Sequence, residues 1–297
     1  MREYYADLHV HVGRTEKGQP VKVAAAAGLT VRAVVAECLE RKGIDLVGLV
    51  DCASPGVLED LEDLVREGRA APLPGGGLRV EGRLTILPAV ELELACPAGG
   101  VAHFVGYLPT LEAARHISAF LSPRLTNVQL SSQRARLTLP EWLDAVEAEG
   151  GVVLPAHAFT PYRSVYGSCT RRLGELLSEG PARFGGLELG LSADTELADR
   201  LAELAELTFL SNSDAHSPAR IAREYNLLAL AEPSFAEVVL ALRRQGGRRV
   251  AANYGLDPRL GKYYRTFCPR CGSLALLGRL KPVPFAAGRI VRGCWTG

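Results

Sequence analysis

Residues 4–12 read YYADLHVHV, an apolar and aromatic run into which His9 and His11 are set two apart, with Asp7 just before them. On an extended strand, positions i and i+2 face the same side, so both imidazoles can reach one point. An H-x-H pair alone is weak evidence, because such pairs arise by chance. Its weight comes from the rest of the chain. His157 ends the run VVLPAH, and Asp214 and His216 follow TFLSNS, again two apart. Glu91 and Glu93 lie in LTILPAVELEL, and His103 opens the apolar run after it. Five of the six histidines therefore stand near strand ends, several beside a carboxylate, whereas His116 lies in a helix-like segment and reads as a surface residue. Imidazoles and carboxylates converging on one point would repel and desolvate each other unless metal ions neutralised them. A mixed His/Asp/Glu set suits Zn²⁺, Mn²⁺ or Fe²⁺ rather than a thiolate-loving ion.

Short apolar runs alternate with helix-like segments through most of the chain. Strands are expected at 4–11, 45–51, 84–94, 102–108, 151–157, 186–189, 208–212 and 226–230. Helices are expected after Thr30, after Ser54-Pro55, after Pro140 and after Pro233, residues that commonly begin them. This β/α alternation predicts a parallel sheet covered by helices, and seven or eight strands permit a barrel whose C-terminal strand ends would carry the site. Residues 73–82 read as a Gly/Pro loop or hairpin. Residues 118–136 are polar, basic and aperiodic, and read as a long surface loop of the kind that is more often functional than not. There Arg124, Arg134 and Arg136, with Arg163 further on, are candidate phosphate contacts, since a guanidinium binds phosphate through two bonds. Asn127 and Gln133 either contact bases or shape the loop. The pattern fails from about Asn253, which divides the chain into a domain at 1–250 and a small module at 251–297.

The composition, 47% hydrophobic and 23% charged over 297 residues, is that of an ordinary globular protein. No apolar run approaches the roughly 20 residues of a membrane span. The opening MREYYADLHV lacks a signal-peptide core, so a cytoplasmic location and reduced cysteines are expected. The net charge of +1 hides an asymmetry. Residues 241–297 hold twelve Lys/Arg against one acid, Asp257, which makes this end +11 and the remainder −10. A basic end interleaved with Tyr254, Tyr263, Tyr264 and Phe267 suits nucleic acid, whose bases stack on aromatic rings. Lys262 and Arg265 are the candidate contacts there.

The succession D-L-H-x-H, a strand Glu, a His, a strand-end His and finally D-x-H resembles the PHP phosphoesterases. The resemblance implies a distorted (β/α)7 barrel with two or three divalent ions (Zn, Mn, Mg or Fe). The ligands it implies are His9, His11, Glu91, His103, His157, Asp214 and His216, with Asp7 in the first motif. Glu91 is the better match for the bridging carboxylate and Glu93 the alternative. Where many members carry a further His after the second strand, this chain reads LVDCAS, so Asp51 or Cys52 would have to serve a third ion. Glu16 stands where others carry an Asp ligand. The catalytic residues implied are Asp214, His216 and His157, with Asp214 bridging ions or orienting the water.

Within that family, LPAHAFTPYRSVYGS, LELGLSADTELADRL, FLSNSDAHSPARIAREYN and NYGLDPRLGKYYRTFCPRCG resemble endonuclease Q. That likeness covers roughly residues 7–272 and implies incision of DNA, 5′ to a deaminated base or an abasic site. Damaged duplex is then the expected partner, and no membrane. Cys268-Pro-Arg-Cys271 resembles half a zinc ribbon. Cys294 is a candidate third ligand, and no His follows residue 216, so the module is expected to be an incomplete or degenerate ribbon with a structural zinc in question. The ending GCWTG falls short of where relatives tend to continue. Two other functions are compatible with the sequence. A PHP phosphatase or phosphodiesterase of a small nucleotide or sugar phosphate would share the site but leave the +11 end without a role. An inactive PHP module that binds DNA would explain the missing third-ion His but not the retained ligands.

Overall fold

The structure is a computed structural model and describes residues 1–261 and 264. The expectations for Lys262, Arg265, Cys268, Cys271 and Cys294 lie outside the described residues.

Every expected strand forms. They are β1 (Arg2–Val10), β2 (Leu46–Leu49), β5 (Leu84–Ala95), β6 (Val101–Tyr107), β7 (Val152–Pro155), β8 (Leu187–Glu188), β9 (Phe209–Leu210) and β10 (Tyr225–Leu230). The Gly/Pro segment supplies the turn and second strand of a hairpin, β3 (Ala70–Pro72) and β4 (Leu78–Val80), paired antiparallel. A last strand, β11 (Arg249–Tyr254), pairs with β10 and so runs across the expected boundary at 250. Its alternation was hidden by Arg and Asn in an exposed edge strand.

The helices are α1 (Val31–Ala36), continued to Lys42 in wider π-type turns, α2 (Pro55–Arg66), α3 (Leu111–Leu121), α4 (Leu139–Ala148), α5 (Thr195–Ala198) and α6 (Phe235–Leu242). Thr30 caps α1 through Ala33 N–H, and Pro55 opens α2, as expected. The cap of α4 is Thr138 rather than Pro140, in a reciprocal box with Glu141 that satisfies two otherwise orphaned N–H groups. Ser118 to Leu121 belong to α3, so the basic loop is shorter than expected. His116 sits exposed on α3 beside Glu149, 3.0 Å away. No helix among the described residues is long and apolar enough to cross a membrane.

The α/β sheet is mixed, which corrects the expected parallel order. β1, β2 and β5 run parallel, while β5–β6–β7 and β1–β10–β11 are antiparallel. The short parallel pair β8–β9 lies between β7 and β11, two of the outer strands of the large sheet. Gly185 N–H donates to Val153 O at 3.0 Å on the β7 side. On the other side asparagine amides replace a backbone ladder. Asn226 Oδ1 accepts from Ser211 N–H at 2.8 Å, Asn212 Oδ1 from Leu8 N–H at 3.0 Å, and Asn253 Nδ2 donates to Phe209 O at 3.1 Å. Buried strand edges need such partners, and an asparagine side chain offers the same donor and acceptor as a peptide. One apolar cluster draws on β1, β2, β5, β6, β7, β9 and β10 together, and a larger one lies under α1–α4.

Two of the cysteines expected to be reduced are joined. Cys96, at the end of β5, forms a disulfide with Cys169 in the turn Val165–Cys169, with Cα atoms 5.6 Å apart. The β5–β6 pairing and the return of the chain after His157 bring two residues 73 positions apart into bonding distance, something sequence spacing does not disclose. Cys38 and Cys52 are free and buried.

Candidate metal centre

The two histidines at the end of the chain's first strand do reach one point. The register of β1 against β2 shifts between Asp7 and Val10, the kind of irregularity that re-aims a side chain. The segment carrying Asp214 then adds to the end of this strand. His11 N–H donates to Ala215 O at 3.1 Å, and Ala215 N–H to His9 O at 3.3 Å. Asp214 Oδ1 thereby lies 3.3 Å from His11 Nε2 and 3.6 Å from His9 Nε2. A second group forms beside it from Glu91, His103 and His157. Glu91 Oε1 is 2.7 Å from His103 Nδ1 and 3.3 Å from His157 Nε2.

Glu91 joins the two groups, since Oε1 also stands 3.5 Å from His9 Nε2 and Oε2 stands 3.5 Å from His11 Nε2. It is buried at the middle of the site. Glu93, the alternative, faces outward to Arg134 and Arg163 instead. His216 packs against His11 with ring centres 4.6 Å apart and its Nδ1 against Asp214 O at 2.9 Å, beside the first group rather than in it.

Backbone strain concentrates here. His157, Asp214, Arg163 and Ser132 all adopt φ between +32° and +54°, a region that costs a non-glycine residue of order 1 kcal/mol and persists where surroundings dictate it. The charges are mutually sustaining. Burial opposes ionisation of Asp214, but the neighbouring His11, His9 and His157 imidazoles hold its carboxyl well below the usual range. Glu91 is likewise held well below by His103 and Lys22 against its burial. His9 lies well above its ordinary value, because Glu188 and Glu91 outweigh burial.

Three residues of the site escaped the sequence reading. Glu188 Oε2 holds His9 Nδ1 at 2.9 Å, and its Oε1 accepts from His157 N–H at 3.2 Å. Its signal was available, since it is a carboxylate inside an expected strand. Lys22 places its Nζ 3.1 Å from Glu91 Oε2 and also bonds Ser132 Oγ, with only 12% of its side chain exposed. Nothing in its neighbourhood marks it. Ser132 Oγ in turn donates to Glu91.

Other expected residues do other work. Asp51 is spent on His11 Nδ1 at 2.9 Å and Val12 N–H at 2.6 Å, and Cys52 donates to Leu49 O with burial pushing its thiol up to about 12. Neither joins a ligand group among the described residues. Glu16 is exposed and accepts from Arg32 N–H at the start of α1. Asp7 also stands apart from both ligand groups among the described residues. Its two oxygens accept from Ser213 and Ala222 N–H at 3.0 and 2.8 Å, so it ties β1 to the loop that carries Asp214. Arg124 lies over the Phe120 ring and donates to Phe120 O, and Arg136 donates to Pro123 O; both shape their loop. Asn127 and Gln133 bond one another and Leu130, and do the same.

The donor set fits divalent ions on its own chemistry. Nε2 of His9, His11 and His103 are buried with no hydrogen-bond partner. Buried polar nitrogens are costly to leave unmatched. The ring nitrogens on the far side of His9 and His11 are held by Glu188 and Asp51, the arrangement that orients a metal-binding imidazole and fixes its tautomer.

The chain is similar to several known proteins. Residues 194–245, which include Asp214 and His216, match the family model of a PHP-associated region, PHP_C. The protein YqxK of Bacillus subtilis, itself uncharacterised, is 42% identical over 297 residues, spanning 99% of this chain and 76% of that protein. The lesion-specific endonuclease PfuEndoQ of Pyrococcus furiosus superposes with a TM-score of 0.83 at 30% identity, covering 99% of this chain and 70% of the other. An endonuclease Q bound to a 27-mer duplex with an abasic lesion at its active site gives the same TM-score at 29% identity, over 99% and 71% of the two chains.

Proposed function

The chain belongs to the endonuclease Q family of PHP-type phosphoester hydrolases, and on that premise we propose that it is a divalent-metal-dependent DNA repair endonuclease. Its substrate is a duplex with a deaminated base or an abasic site, cut on the 5′ side of the lesion. The observation that carries this reading is the pair of partnerless buried Nε2 atoms of His9 and His11 facing Glu91 and Asp214, with the His103 and His157 rings also on Glu91. The ring of strands, with β8–β9 linked on both sides, supports a distorted (β/α)7 barrel for the first domain. A basic module would follow β11.

His9, His11 and Asp214 would hold one ion, and Glu91, His103 and His157 a second, with Glu91 shared and His216 beside the first. Ions bound there supply charge that lowers the pKa of a water and neutralises the leaving 3′ oxygen. The chain's own residues do the rest. Asp214, a third exposed, can accept a hydrogen bond from the attacking water. Lys22 adds a fixed positive charge beside Glu91. Arg134 and Arg163 stand at the rim for backbone phosphates. A lesion leaves the stack more easily than a paired base, which is one source of selectivity.

The test uses end-labelled duplexes holding one uracil, hypoxanthine or abasic site, incubated with the protein and Mn²⁺, Mg²⁺ or Zn²⁺. A nick just 5′ of the lesion, absent from undamaged duplex and without metal, is the expected result. Release of product from a mononucleotide with no nick would replace the proposal by a small-molecule phosphoesterase. Duplex retarded on a gel with neither reaction would leave a DNA-binding module.

The structural role of Asp7 gives a separate prediction. Asp7→Asn turns one acceptor into a donor facing a backbone N–H, so it should cost about 1–3 kcal/mol of stability. Thermal melting measures that, and the metal content per chain should stay at the wild-type value.

A further inference from the structure

Glu93 follows Glu91 by two positions on β5, yet its carboxylate joins neither ligand group among the described residues. Its Oε1 accepts from Arg134 Nε at 2.9 Å and its Oε2 faces Arg163 Nε at 3.3 Å. The carboxylate is 9% exposed, and the two arginine side chains are 62% and 59% exposed.

A pair of surface arginines on one acid would normally be a weak, mobile arrangement. Here the backbone is fixed on both sides. Glu93 N–H donates to Gln133 O at 3.1 Å and Ala135 N–H to Glu93 O at 3.0 Å, which lays Arg134 along the end of β5. His103 N–H donates to Arg163 O at 2.9 Å, and Arg163 is held at φ +54°. The Cys96–Cys169 disulfide ties the end of the same strand to the turn that follows Arg163. Glu93 engages each guanidinium through Nε. The terminal nitrogens, which make the bidentate contact to phosphate, lie farther from Glu93 than Nε does. The pair borders the centre, because Glu93 Oε2 is 3.8 Å from His103 Nε2.

We propose that Glu93 is a positioning residue that spreads Arg134 and Arg163 into a two-armed clasp for a backbone phosphate next to the one being cut. The clasp gives the site its preference for a strand with consecutive phosphodiesters over a single diester. This rests on the phosphodiesterase reading above. It also makes a prediction of sign. A carboxylate that merely sat near phosphate would repel it, and its removal would tighten binding. A carboxylate that positions two arginines loosens binding when removed.

The experiment compares wild type, Glu93→Gln, Glu93→Ala and the Arg134→Ala/Arg163→Ala pair, as full chains loaded with Mn²⁺. The probes are an abasic duplex and thymidine 5′-(p-nitrophenyl) phosphate, a single diester. Glu93→Ala should raise KM for the duplex about tenfold, the effect of losing one good arginine contact, with kcat within about twofold. Glu93→Gln, which keeps one acceptor oxygen, should fall between. Metal per chain should equal wild type, and Glu93→Ala should add nothing in the double-arginine background. Tighter duplex binding by Glu93→Ala, a lower metal content, or an effect that persists without the arginines overturns the clasp. A wild-type enzyme that nicks the duplex while Glu93→Ala leaves KM unchanged removes the clasp alone. Preference of wild type for the single diester removes the endonuclease reading along with it.

Discussion

Asp214→Asn should lower turnover by about a thousandfold or more, the several kcal/mol that ion-centred charge stabilisation supplies. The asparagine matches the shape of the carboxylate and keeps an oxygen, but it loses the charge. Asp214 Oδ1 stands 3.3 and 3.6 Å from two imidazole Nε2 atoms, so an amide there contributes nothing to neutralising an ion between them. Its side chain is a third exposed and its local backbone is fixed by Ala215 pairing with β1. The fold should therefore survive, with circular dichroism and melting close to wild type. Turnover on a lesion duplex and metal content by mass spectrometry are the measurements. Wild-type turnover in this variant would remove Asp214 from the site.

The elements that place Asp214 show what could be read in advance. Strand ends are local, and the alternation around His9, the run VVLPAH and the D-x-H after TFLSNS each announced a histidine at the end of a strand. What was not local stayed hidden. Antiparallel pairing of β5–β6–β7 depends on connections whose direction composition does not state. The role of Asp7 could not be told from that of His9, because both share the alternation of β1 and only the return of residues 213–222 occupies Asp7. Lys22 reaches Glu91 across 69 positions, and the Cys96–Cys169 bond spans 73. Glu188 is the instructive miss. The rule that picked out the other carboxylates applies to it, but without a histidine nearby in sequence it drew no notice.

Glu91→Gln should have the second large effect, and on a different quantity. Glu91 touches both ligand groups, through Oε1 to His9, His103 and His157 and through Oε2 to His11. Losing its charge should cut bound metal from two ions per chain to one or fewer, with turnover falling along with it. It also leaves Lys22, 12% exposed, beside a neutral amide. Removing one partner of a mostly buried ion pair strands the other, and with the amide oxygen retained the cost should be about 1–3 kcal/mol. A second substitution separates the two effects. Lys22→Met in the Glu91→Gln background removes the stranded charge, so melting should recover while metal content and turnover should not. If the double variant regained metal, Glu91 would be a partner for Lys22 and not the carboxylate that joins the two groups.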